Sequence, residues 1–259
     1  MKSSLSFDHA ASFYDRTRDL PEPGGTLGIQ AILEIVGPGA LILDIGTGTG
    51  RISVPLLERG ADLIGCDLST KMMALLRQKY PPARLVQADA SQLPFPGRHF
   101  DALLTCHVMH LVGPWREALR EYRRLLKPGG VYINVRTDHE GESVRKQMKD
   151  FWQSRVKAHG AGYQRPGVQN EEDLQNELSK IGADVRHVEV VRFSRTYSVR
   201  EVIEDTANRI HSHTWGIPDY IFTTCLGELR EWAGHTFSDP DQKIEEEVQF
   251  ILDLAYFMV

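Results

Sequence analysis

The chain has 259 residues, of which 41% are hydrophobic and 25% charged, the balance of an ordinary globular protein able to bury a sizeable core. Its formal net charge of -5, with no long basic block, argues against nucleic acid as the main partner. There is no charged-then-apolar leader and no apolar stretch of membrane-spanning length, so a cytoplasmic protein without a membrane partner is expected. In chain order, helix is expected over Thr26–Val36, strand over Leu41–Ile45, helix over Arg51–Arg59 and strand over Asp62–Asp67. Helix over Ser69–Lys79 follows, with Ser69 as N-cap. Strands over Ala83–Gln87 and Phe100–Cys106 come next, then helix over Trp115–Leu126 and strand over Gly130–Arg136. Between the last two, Lys127-Pro128-Gly129-Gly130 ends the helix, because proline cannot continue it and glycine suits the turn. The alternation implies a doubly wound α/β core, its parallel sheet opening a ligand crevice at the carboxyl ends of the strands.

The most informative run is Leu41 to Arg51, LILDIGTGTGR. Apolar residues end at Asp44, and Gly46, Gly48 and Gly50 alternate after it. An apolar run that stops at a Gly-rich turn reads as a buried parallel strand entering a helix. Glycines there let a ligand approach the backbone. Asp67 closes the next strand about 20 residues on, where a carboxylate accepts from ribose hydroxyls. A nucleoside-containing cofactor is the consequence. The dinucleotide fingerprint needs a third glycine at the position held here by Arg51, which argues against a nicotinamide-dependent oxidoreductase.

The pattern Asp44-x-Gly46-x-Gly48-x-Gly50 resembles motif I of class I S-adenosylmethionine (SAM) dependent methyltransferases. Four further motifs follow in that family's order: Val86-Gln87-Ala88-Asp89-Ala90, Leu93-Pro94-Phe95, Phe100-Asp101-Ala102-Leu103 and Leu125-Leu126-Lys127-Pro128-Gly129-Gly130. The similarity is to the ubiquinone/menaquinone-biosynthesis-like branch (methyltransferase type 11) and covers roughly residues 5 to 137, about half the chain. It implies a Rossmann-like seven-stranded sheet with an antiparallel final hairpin, SAM as cofactor and a small-molecule methyl acceptor. It also implies the cofactor contacts. The Gly46–Gly50 loop, with Thr47, passes under the ribose and methionine portion. Asp44 holds the amino-acid end through water, Asp67 takes the ribose hydroxyls, and Leu68 packs on the adenine. Asp89 accepts from the adenine amino group and Ala90 donates from its backbone. Two of these carboxylates have a plainer alternative: Asp67 as a helix cap, and Asp89 as a turn former before Ser91.

Cys106 and His107 follow the fourth strand, beside the sulfonium in this fold. Methyltransferases acting on nucleic-acid or protein nitrogen often carry Asn/Asp-Pro-Pro-aromatic here; this chain has Cys106-His107-Val108-Met109, which leaves O-, C- or S-methylation open. His107 is a candidate base, because histidine titrates near neutrality; the alternative is an imidazole that packs while its backbone lines the cofactor. The stretch Phe7 to Asp15 resembles the family's leading helix, with Tyr14 over the methionine end and Arg18 reaching its carboxylate; a surface helix anchored by Phe13 is the other reading.

The remaining residues are less standard. Val185–Val191 and Glu247–Phe257 read as strands. Asp138–Ile181 and Glu201–Gly234 read as helical insertions forming a lid over the crevice, the usual place for substrate recognition. Trp152, Tyr163, His211 and Trp215 are its candidate acceptor contacts, with lid core as the alternative for the aromatics. His211-Ser212-His213, read on a helix, does not share a face, and no carboxylate or cysteine stands at ligand spacing, so no metal is expected. Cys66, Cys106 and Cys225 are far apart and read as free thiols. A SAM-binding sensor without turnover has the same cofactor motifs as an enzyme.

Overall fold

A computed structural model describes residues 8, 11, 14–17, 22–139, 141–162 and 165–257. Along the chain run α1 (Tyr14–Thr17), α2 (Gly24–Val36), β1 (Leu41–Ile45), α3 (Ser53–Glu58), β2 (Asp62–Asp67), α4 (Thr70–Lys79), β3 (Arg84–Gln87), β4 (Phe100–Cys106), α5 (Trp115–Leu125) and β5 (Leu126–His139). The chain continues through α6 (Val144–Ala158), α7 (Glu171–Lys180), β6 (Ala183–Tyr197), α8 (Val199–Ala207), α9 (Asp219–Thr236) and β7 (Ile244–Phe257). The strands form one mixed sheet in the order β3-β2-β1-β4-β5-β7-β6, antiparallel at its β7/β6 end. This is the Rossmann-like arrangement that the motif order implies.

Two compact units divide the residues: 1–137 with 165–192 and 250–259, and 138–164 with 193–249. In the first, β1 pairs in parallel with β2 and β4, Leu43 standing beside Ile64 on one side and Leu103 on the other. Buried on both faces, these strands are apolar almost throughout. Phe100, Leu103, Leu119, Tyr122, Leu125 and Tyr132 are fully buried in the core between sheet and helices. Helix α5 leaves its axis at Leu126, and Lys127-Pro128-Gly129-Gly130 shifts the register: Phe100 pairs with Leu126, but Ala102 pairs with Val131. Strand β5 thus includes the motif and starts four residues earlier than expected. Ser69 caps α4 as expected, its hydroxyl accepting from Met72 N–H at 3.1 Å.

Part of the expected lid belongs to this first unit. The stretch 165–181 lies within it. Its helix α7 buries Leu174 and Leu178, one turn apart, among Trp115, Ala118 and Leu119. Gly167 and Val168 donate their backbone N–H groups to His110 O and Met109 O at 3.1 Å. A Cβ on Gly167 would stand 2.1 Å from Met109 O, so only glycine permits that approach.

The second unit has its own core, in which α6 and α9 supply Met148, Trp152, Val156, Phe222, Cys225 and Leu229. The spacing 148, 152, 156 is the four-residue repeat of a buried helix face. Glu201–Gly234 is divided: α8, a 3-10 turn over Ser212–Thr214, and α9. Among the described residues no helix is long and apolar enough to cross a membrane.

Candidate cofactor site

The carboxyl ends of β1, β2 and β4, with the chain after β3, surround a cleft of about 650 Å³ counting its open side. Tyr14, Gly46, Gly48, Asp67, Leu68, Ala88, Ala90, Cys106 and His107 line it, with Met72, Val108, Leu111 and Val112 as its apolar wall. Eight cofactor candidates named from the sequence therefore meet at one place, joined by Ala88. Arg18 and Tyr163 lie outside the described residues.

The glycine turn is pinned to β2. Gly46 and Thr47 both donate backbone N–H groups to Cys66 O, at 2.8 and 3.0 Å. Gly48 N–H donates to Asp67 Oδ2 at 2.8 Å, and Ser69 N–H to Asp67 Oδ1 at 2.8 Å. Asp67 thus accepts at the entry to α4 and also faces the cleft. An ionised carboxylate has about four acceptor sites, and two backbone donors leave acceptor capacity for a ligand hydroxyl. Burial raises the Asp67 carboxyl above its ordinary range, opposed by the Ser69 and Gly48 N–H groups.

Each glycine has its own reason. A Cβ on Gly46 would stand 2.4 Å from Val108 Cγ2, at φ +73. A Cβ on Gly50 would strike Val54 and Leu76 at 2.6 and 2.8 Å. Gly50 is therefore required by the packing of α3 against α4. Gly48 differs: a Cβ there would meet Met72 Cε at 3.7 Å and Gly46 O at 3.9 Å, both ordinary contacts. The space beside it is cleft, so a ligand can lie directly on this backbone.

Asp44 and Thr47 turn beneath the loop rather than into the cleft. Asp44, 2% exposed, accepts from Ser53 Oγ at 2.5 Å, and Thr47 Oγ1 lies 2.6 Å from Ser53 Oγ. Burial pushes the Asp44 carboxyl up to about 6, against the Ser53 and Thr47 hydroxyls that favour its ionised form. Both side chains shape the turn from below. Asp89 forms the turn anticipated as its alternative, its Oδ1 accepting from Ser91 N–H at 2.8 Å and Ser91 Oγ at 2.7 Å, while its neighbours Ala88 and Ala90 face the cleft.

His107 has φ +55, a left-handed backbone that a non-glycine residue adopts at a cost on the order of 1–3 kcal/mol. Its Nε2 lies 3.3 Å from Thr137 Oγ1 at the far end of β5. Arg51 was noticed in the sequence only as the missing third glycine. Its Nη2 donates to Cys106 Sγ at 2.9 Å, a side chain reaching across ground that a dinucleotide fold keeps clear for close helix–strand packing. Near the leading helix, Asp15 accepts from Thr49 Oγ1 at 2.5 Å and pairs with Lys79 at 2.8 Å, while Ser69 Oγ donates to Asp8 at 2.5 Å.

The expected acceptor contacts fare differently. Trp152 is 1% exposed and packs edge-on against Phe222 in the second unit's core, the position of its alternative reading as a core aromatic. Trp215 is half-buried and donates Nε1–H to Arg209 O at 2.7 Å. His211 and His213 stack, ring centroids 5.5 Å apart and 11° from parallel; His211 is the extended N-cap of a 3-10 turn, not part of the α-helix assumed. Among the described residues, His159, Cys225 and Glu228 bring ligand-type atoms within 4.8 Å of one another. Arg155 grips both Glu228 oxygens at 2.8 and 3.2 Å, so a metal dication there would meet a guanidinium.

Residues 43–134 match the model of a methyltransferase domain family. Demethylmenaquinone methyltransferase of Beutenbergia cavernae is 37% identical over 127 residues, 48% of this chain and 53% of that protein. The chain thus spans about half the length of the curated relatives it matches. YcgJ protein from Bacillus subtilis has the same fold at 19% identity, with a TM-score of 0.59 over 90% of this chain and 98% of that one. Phosphoethanolamine N-methyltransferase 2 of Haemonchus contortus, solved in complex with S-adenosyl-L-methionine, has it at 18% identity and TM-score 0.54, over 98% of this chain and 60% of that one. Residues 43–134 thus match a methyltransferase domain family, in a chain that shares the fold of these solved structures.

Proposed function

We propose that the protein transfers a methyl group from SAM to a small-molecule acceptor, at carbon or oxygen, with sulfur a further acceptor atom. The observation that carries this reading is the pairing of Gly48 with Asp67 at the wall of the cleft, because it couples the open backbone of the turn to an acid suited to ribose hydroxyls. SAM supplies a methyl group on a sulfonium, a good leaving group. The chain's own residues then bind and orient. Asp67 accepts from the ribose, Leu68 packs on the adenine, Ala90 donates from its backbone, and Tyr14 covers the methionine end. Holding donor and acceptor at near-attack distance contributes on the order of 7–11 kcal/mol to such reactions.

The acceptor side has an apolar wall of Val108, Leu111 and Val112, which suits a ring or hydrocarbon surface. Relatives named for demethylmenaquinone give a hydroxylated quinone-type ring as the first acceptor to try. Where the acceptor arrives protonated, His107 takes the proton, since imidazole titrates near neutrality. Trp215 and His211 remain proposed acceptor contacts. The net charge of -5 supports a small acceptor over nucleic acid. The test is transfer of tritium from methyl-labelled SAM. Label should enter small molecules of a metabolite extract, quinone precursors included; faster entry into nucleic acid or bulk protein would overturn the reading.

A further inference from the structure

A second depression, about 830 Å³ counting its open side, lies where β4 begins and α5 ends. The seven residues of β4, roughly 20 Å, separate it from the cofactor cleft at that strand's other end. Arg98, Arg120, Arg123 and Arg124 line it with Gly97 and Leu126, and no carboxylate stands among the described lining residues, in a chain whose net charge is -5. Cations in the last turn of α5 offset the helix dipole, which accounts for Arg123 and Arg124. Arg98 and Arg120 lie outside that turn. Arg124 is held by Glu121 at 2.6 and 2.7 Å, and Arg120 stands 3.8 and 3.9 Å from Glu177 and Glu117. Arg123 donates to a carbonyl, Ile181 O, at 2.6 Å. Among the described residues neither Arg123 nor Arg98 pairs with a carboxylate, and the exposed Arg98 side chain makes no hydrogen bond. Yet Arg98 has φ +54, a left-handed backbone that glycine adopts freely and arginine does not. Its N–H donates to Arg124 O at 2.9 Å, and His99 N–H donates to Leu125 O at 2.8 Å. Those bonds fix Arg98 beside the depression and occupy helix-end carbonyls that would repel an anion.

We propose that this depression binds a small phosphorylated molecule carrying two or more phosphate groups. Guanidinium forks match phosphate oxygens in bidentate pairs, and four around one hollow exceed what a single phosphate engages. Glu117, Glu121 and Glu177, each paired with a lining arginine, border the cations and restrict the footprint to a small ligand. A nucleic acid or an anionic membrane needs an extended basic face. The proposal is independent of the reading of the cofactor cleft.

Inorganic triphosphate and orthophosphate are the probes, titrated by calorimetry into the wild-type protein, Arg98→Gly, Arg98→Gln and the control Arg59→Gln, whose arginine is exposed at the end of α3. The wild type should bind one equivalent of triphosphate, roughly tenfold or more tighter than orthophosphate, as added charge-assisted hydrogen bonds require. Saturating S-adenosylhomocysteine should not displace it. Arg98→Gly relieves the left-handed backbone, so it should melt no lower than wild type while binding triphosphate about tenfold more weakly. Arg98→Gln should weaken binding to a similar extent, and it serves where the glycine variant does not fold. Arg59→Gln should bind as the wild type does. Wild-type affinity in a folded Arg98 variant would overturn the proposal, as would no saturable binding by the wild type or displacement by S-adenosylhomocysteine. Equal weakening by Arg59→Gln would mean diffuse attraction rather than a site, and would overturn it too.

Discussion

Gly48 and Asp67 form one device: the glycine's N–H donates to the aspartate's Oδ2 at 2.8 Å. A turn after β1 and an acid ending β2, 19 residues apart, are joined by a bond that also aims the carboxylate along the cleft. Asp44, Thr47 and Ser53 support the turn from beneath.

That support has a pH signature. The Asp44 carboxyl is raised from 3.8 to about 6 by burial, so between those values the folded state holds a proton that the unfolded state has lost. Its contribution to stability is fully present below about pH 3.8, falls as pH rises, and is lost above about pH 6. The difference is on the order of 3 kcal/mol. Asp44→Asn keeps an acceptor for Ser53 and removes the charge. Urea denaturation from pH 4 to 8 should show a flatter profile for Asp44→Asn and greater stability than wild type above pH 7. Identical profiles would show that Asp44 does not titrate in this window.

His107 stores backbone strain at the cleft. Asparagine tolerates its left-handed φ and valine does not. His107→Asn should melt within a few degrees of wild type, while His107→Val should lose about 1–3 kcal/mol. Equal melting temperatures for the two variants would argue that the strain is relaxed in solution.

Two N-terminal acids reach the site's framework: Asp15 of α1 holds Thr49 and Lys79, and Asp8 holds Ser69. Lys79 also donates to Thr49 O at 2.8 Å, tying the same loop. The ion pair is exposed, with side chains 38% and 44% accessible, so its effect on global stability is small. Its effect on ligand retention is expected to be larger. Lys79→Met should bind S-adenosylhomocysteine about two- to fivefold more weakly, through faster dissociation, with thermal stability nearly unchanged. Stopped-flow displacement separates the two; an unchanged dissociation rate would mean that the anchor does not hold the ligand.

Much of this was legible in the sequence because the signals are local. The runs 41–45, 62–67 and 100–106 end where expected, the first two because an apolar strand stops at a glycine or an acid. Asp67, Leu68, Ala90 and Cys106 reached the cleft because each ends a strand or starts the turn after it. What was not legible is what tertiary packing decides. Nothing local says that Asp44 and Thr47 point under the loop, or that Arg51 crosses to β4. Asp138–Ile181 was read as one insertion, yet Leu174 and Leu178 join the core around the sheet while Trp152 builds another. The four-residue spacing of Leu174 and Leu178 was visible, but not which core they would enter. His211 and His213 stack across the extended N-cap of a 3-10 turn, a backbone change that composition does not carry.

The most direct measurement is calorimetric titration of S-adenosylhomocysteine into the wild-type protein and Asp67→Ala. The wild type should bind one equivalent. Asp67→Ala, with an unchanged circular dichroism spectrum, should bind roughly ten- to a hundredfold more weakly, the expected cost of losing charge-assisted hydrogen bonds to the ribose. Wild-type affinity in a folded Asp67→Ala, or no binding by the wild type, would contradict the assignment of this cleft.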